Sequence, residues 1–68
     1  MNITNYTKIH GRKPHGTGQW AFKFYMARHY NYCDIVFHVP STCAYSAAYK
    51  WAVRHGNKIG AAGIALMP

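Results

Sequence analysis

QWAFKFYM, residues 19–26, is the stretch that decides the fold. Trp20, Phe22, Phe24 and Met26 fall at every second position, with Ala21, Lys23 and Tyr25 between them. In an extended chain successive side chains point to opposite faces. Such strict alternation predicts a half-buried strand with an aromatic inner face and an outer face that carries Lys23 and Tyr25. Downstream, ARHYNY (27–32) is a polar, aromatic turn. CDIVFHV (33–39) alternates again, with Cys33, Ile35, Phe37 and Val39 inward and Asp34, Val36 and His38 outward. Two strands joined by about six residues form an antiparallel hairpin most simply.

Pro40 stops the second strand. Ser41 or Thr42 is then placed to cap a helix over CAYSAAYKWAVRH (43–55), which is rich in alanine. Ala44, Ala47, Ala48, Trp51, Ala52 and His55 share one face of it at helical spacing, as packing on a sheet requires. Gly56, followed by Asn57, suits a left-handed stop. KIGAAGIALM (58–67) returns as a strand with Ile64 and Leu66 on one face. Upstream, HGRKPHGTG (10–18) is a basic Gly/Pro loop by its turn chemistry. NITNYTKI (2–9) reads as a weak edge strand or ordered arm, because Ile3, Tyr6 and Ile9 do not alternate cleanly. The expectation is an α+β fold: a small three- or four-stranded, mainly antiparallel sheet with one helix packed on one face, in the order (β)-β-β-α-β. Trp20, Phe22, Phe24, Ile35, Phe37, Trp51, Ile64 and Leu66 are its expected core.

The 68 residues suffice for one domain with one modest core and no deep cleft. Apolar residues are 50% of the chain and aromatics 16%, too many for a disordered basic tail. Charge is the strongest single signal. Lys8, Arg12, Lys13, Lys23, Arg28, Lys50, Arg54 and Lys58 stand against one acid, Asp34, for a net +7. One carboxylate leaves nearly all of these cations without an internal partner, so the surface carries a field that attracts polyanions. Five histidines add to it in their protonated form.

Two cysteines are too few for a disulfide scaffold. No apolar run near the start resembles a signal peptide, and none is long enough to span a bilayer. The expected setting is therefore cytoplasmic, with no membrane partner and reduced thiols. Small basic chains of this kind are common in phages and mobile elements, which is an association only.

Three constellations could carry chemistry. For catalysis, Asp34 is the only side-chain carboxylate, and nothing resembles a nucleophile turn or a G-x-x-x-x-G-K phosphate loop, so no catalytic residue is assigned. For metal, His29, Cys33, His38 and Cys43 have residue types suited to zinc, and C-x4-H-x4-C has the spacing of part of a retroviral zinc knuckle. Tyr30 stands where the knuckle's first cysteine belongs, and Cys33 and His38 point to opposite faces of one strand. The expectation is buried thiols, exposed imidazoles, and no metal or other cofactor. The third constellation is cations interleaved with aromatics. Aromatics stack on bases and cations neutralise phosphates. Lys8, Arg12, Lys13, Lys23, Tyr25, Arg28 and Lys58 are the candidate nucleic-acid contacts. Within them Gly11-Arg12-Lys13-Pro14 resembles the centre of an AT-hook over four residues, with Lys13 in place of its second arginine and His10 in place of its first. A mobile basic arm can enter a groove without being that motif.

The leading expectation is nucleic-acid binding through the basic loop and the exposed sheet face. The alternative is a small inhibitor or adaptor that docks on an acidic protein surface. It would use a helical stripe of Tyr45, Tyr49 and Val53 flanked by Lys50 and Arg54, and the same stripe could seal a homodimer.

Overall fold

The computed structural model describes residues 1–26 and 34–68. Its elements run α1 (Thr4–His10), β1 (Thr17–Gly18), β2 (Ala21–Tyr25), β3 (Ile35–His38), β4 (Cys43–Ala44), α2 (Tyr45–Ile59) and β5 (Gly63–Leu66). β2 is the central strand of an antiparallel three-stranded sheet ordered β3-β2-β5. The pairs Phe22↔Phe37, Phe22↔Leu66, Phe24↔Ile35 and Phe24↔Ile64 set the register of the inner face. The expected α+β architecture, with one main helix on one face of a small sheet, is the observed one.

The alternation read from residues 19–26 holds throughout. Phe22 and Phe24 are wholly buried, Trp20 nearly so, and Tyr25 on the opposite face is exposed. Ala48, Ala52 and Gly56 make the buried stripe of α2, and Leu66 completes the core. Trp51 and His55 lie edge-on to Phe24 at 6.4 and 5.4 Å between ring centroids. Small residues on the stripe let the helix come close to β5. A Cβ at Gly56 would stand 2.7 Å from Ile64 Cδ1.

Four expectations are corrected. Residues 4–10 are helical rather than extended. Asn2 alone behaves as an edge: its N–H donates to the Ile64 carbonyl and its carbonyl accepts from the Leu66 N–H, both at 2.9 Å. Its side-chain Oδ1 then accepts the Thr4 N–H at 2.9 Å and turns the chain into α1. Seven residues are too few for a helix stable on its own. Burial of Tyr6 against Trp20, 5.9 Å between rings, supplies what propensity does not. The irregular spacing of Ile3 and Tyr6 was thus a helical period.

The second correction is the start of α2. Cys43 and Ala44 pair with Gly18 and Thr17 as strand, so the helix begins at Tyr45 without a side-chain cap. The Tyr45 N–H donates instead to the Gly16 carbonyl at 2.9 Å. Ala44, drawn into β4, is exposed, and so is Ala47. Third, Gly56 does not stop the helix; Gly60 does, at φ 73°. The N–H groups of Gly60 and Ala61 return to the carbonyls of Asn57 and Gly56, a Schellman closure. Fourth, Ile35 is exposed, because it lies on the edge strand while α2 makes its closest approach to β5. Phe37, Trp51 and Ile64 are partly buried around the core.

Candidate nucleic-acid interface

The outer row of β2 presents Ala21, Lys23 and Tyr25. Its cross-strand partners on the same face are His38 and Val36 on β3 and Ala65 and Gly63 on β5. The stem of Lys23 lies half-buried along this surface, an arrangement that keeps the ammonium in water. Tyr25 is exposed at the far end of the row.

At the Ala21 end the row opens into a cleft of about 380 Å³. The cleft gathers side chains from four parts of the chain. His10 comes from the last turn of α1, Arg12 and His15 from the following loop, and His38 from β3. Gln19 and Trp20 contribute between them, and no lining side chain is a carboxylate. A smaller hollow of about 220 Å³ shares Gln19, Trp20 and His38 and continues toward Ser41 and Thr42.

The loop that carries Arg12 and His15 is tied at both ends. Gly11 adopts φ 69° and donates its N–H to the Thr7 carbonyl at 2.8 Å, closing α1. Gly16 adopts φ 78°, and its carbonyl accepts the Tyr45 N–H. Both φ values lie in the left-handed region that glycine enters freely. Below the loop the Trp20 indole N–H donates to the Cys43 carbonyl at 2.8 Å. Tyr6 stacks on His10 at 4.1 Å between centroids. His10, Arg12 and His15 therefore project from a segment that is held at both ends.

The candidate contacts divide by location. Arg12 lines the cleft, Lys13 is exposed in the same loop, and Lys23 and Tyr25 follow on the sheet. Lys8 is exposed on α1. Lys58 belongs to the last turn of α2, in the layer opposite the outer sheet face, and is not brought to this surface. Arg28, His29 and Cys33 lie outside the described residues. The roles of His10, His15 and Gln19 in a common cleft had no signature in the sequence, because their convergence depends on the β1–β4 pairing and on α1.

On α2, Tyr49 and Val53 are exposed and share a shallow hollow with Lys50 and Arg54. Tyr45 is half-buried and packs both on Trp20 at 5.1 Å and edge-on against Tyr49 at 6.2 Å between ring centroids. Burial, and secondly the neighbouring Tyr49 hydroxyl, raise its phenol above the ordinary tyrosine value. Cys43 is a partly buried free thiol and His38 is exposed. Among the described residues no three His, Cys or Asp side chains come together at metal-holding distance, and no helix is long and apolar enough to cross a membrane. Comparison with protein families, with curated proteins and with solved structures finds no match to this chain.

Proposed function

We propose that the chain is a nucleic-acid-binding module that holds a strand along the outer face of β2 and into the adjoining cleft. The observation that carries this reading is the continuity of the two surfaces. Ala21 and His38 end the outer sheet row and also line the cleft with Arg12. Backbone charge is neutralised by Arg12, Lys13 and Lys23, and a base stacks on Tyr25. From Ala21 to Tyr25 the row is about 13 Å long at ~3.3 Å per residue, which suits a short stretch of single strand. Near-absence of acids, one against eight cations, leaves the field of this surface uncancelled.

The test is a titration with short DNA and RNA at several salt concentrations. With about three phosphates neutralised, log K should fall against log salt with a slope of about −2 on single strands. Tyr25→Ala should weaken single-strand binding by about 1–3 kcal/mol with the slope unchanged, because stacking releases no counterions. Absence of binding to every oligonucleotide at ~50 mM salt, where phosphate contacts are strong, would remove the reading. A second reading, docking on an acidic protein surface, is favoured by the exposure of Tyr49 and Val53 beside Lys50 and Arg54. Such a contact would be anchored by aromatic burial and would respond weakly to salt.

A further inference from the structure

The cleft holds more donors than an internal phosphate can use. Arg12 brings a five-donor guanidinium, Gln19 an amide, and His10, His15 and His38 three imidazoles. A phosphodiester inside a strand offers one negative charge and two free oxygens. A terminal phosphomonoester offers three oxygens and about −1.5 to −2 charges at pH 7. The three imidazoles do not converge closely enough to hold one metal ion, yet all face one cavity. They therefore line a space wider than a metal site. A volume of about 380 Å³ is at the small end for organic ligands and admits a phosphate with its sugar.

We infer that the cleft is a seat for a terminal phosphate, so that the module engages nucleic acid by a phosphorylated strand end, with the following nucleotides laid over Lys23 and Tyr25. The inference rests on the nucleic-acid reading above and names the part of the ligand that enters the cleft. Arg12 supplies the permanent charge and the paired donors. His38, at the junction of cleft and sheet, supplies a donor where the strand leaves the seat. His10 is held on the other wall by its stack with Tyr6. The titratable side chains that line the cleft are thus one guanidinium, three imidazoles and the Tyr6 phenol, with Met67 and Pro68 on the same wall. Each imidazole carries an N–H that can donate to a terminal phosphate oxygen.

The experiment compares three otherwise identical short oligonucleotides by fluorescence anisotropy: 5′-phosphorylated, 3′-phosphorylated and unphosphorylated. At least one phosphorylated form should bind about tenfold more tightly than the unphosphorylated one, and the pair shows which end is seated. Arg12→Gln combined with His38→Gln should weaken both ligands and reduce that preference, read as the ratio of the two Kd values, to within about twofold. Equal binding of all three by the unaltered protein overturns the inference and leaves the nucleic-acid reading standing. If no oligonucleotide binds, the broader reading fails, and inorganic phosphate decides the seat alone by NMR. Shifts of the His10, His15 and His38 ring protons on phosphate addition, absent in Arg12→Gln, would uphold it, and unmoved signals would overturn it.

Discussion

The His55 ring stacks on Trp51 at 4.8 Å and meets Phe37 edge-on at 4.4 Å, while its Nε2 is buried with no hydrogen-bond partner among the described residues. An orphaned buried nitrogen costs on the order of 1–3 kcal/mol. His55→Phe keeps the ring contacts and removes the nitrogen, so its melting temperature should equal or exceed that of the parent. His55→Ala removes the ring as well and should lower it. A clear fall for His55→Phe in a thermal melt would mean that the nitrogen is engaged. One residue further, Gly56 raises the opposite question. Alanine there gains about 1 kcal/mol of helix propensity but drives a methyl into Ile64 Cδ1. Overpacking of this kind costs about 1–3 kcal/mol, so Gly56→Ala should be neutral to destabilising. Ile64→Val removes the obstructing atom, and in the double variant the two changes should cost less than their sum in denaturant melts.

At the scale of elements, legibility followed periodicity. β2 was readable because each of its side chains obeys one rule, inward or outward, with no competitor. The inner faces of α2 and β5 were readable for the same reason at Ala48, Ala52, Ile64 and Leu66. What escaped was decided at a distance. The start of α2 is set by Thr17 and Gly18, some 26 residues upstream, through the pairing of Cys43 and Ala44. No local pattern around Ser41 and Thr42 contains that information. α1 is stabilised by the Trp20 face rather than by its own β-branched residues, and Ile35 alternates correctly yet stands uncovered because edge strands get less of the helix. The core reading has a direct check. Phe22→Ala should cost about 3–5 kcal/mol, whereas Ile35→Ala should cost well under half as much. Tyr45 gives a second check at this scale. With its phenol raised above 10.0 in the folded state, the unfolded chain loses that proton first as pH rises. The group's stabilising contribution is therefore complete below about pH 10 and declines as pH climbs toward the folded-state value. Absorbance titration of tyrosinate should show a late phenol that Tyr45→Phe removes.

The whole molecule is two layers with charge on both. Its extents are 37 × 23 × 14 Å, so the outer sheet face and the exposed side of α2 look in opposite directions across a thin slab. Arg12, Lys13 and Lys23 belong to the loop and sheet, and Lys50, Arg54 and Lys58 to the helix. Composition alone counts these two groups equally. Salt dependence does not, because only cations that sit against phosphates release counterions, while distant ones act through a field screened within about 10 Å at 0.1 M salt. If the strand lies on β2 and ends in the cleft, Arg12→Ala with Lys13→Ala should flatten the slope of log K against log salt by about one to two units. Lys50→Ala with Arg54→Ala removes the same formal charge and should leave the slope nearly unchanged, lowering affinity only slightly at low salt. The two double variants are thus matched in charge and differ only in layer. Equal slopes for both would mean that binding senses net charge and not the β2 face. A flattened slope for the helix pair alone would move the binding surface to α2, beside Tyr49 and Val53.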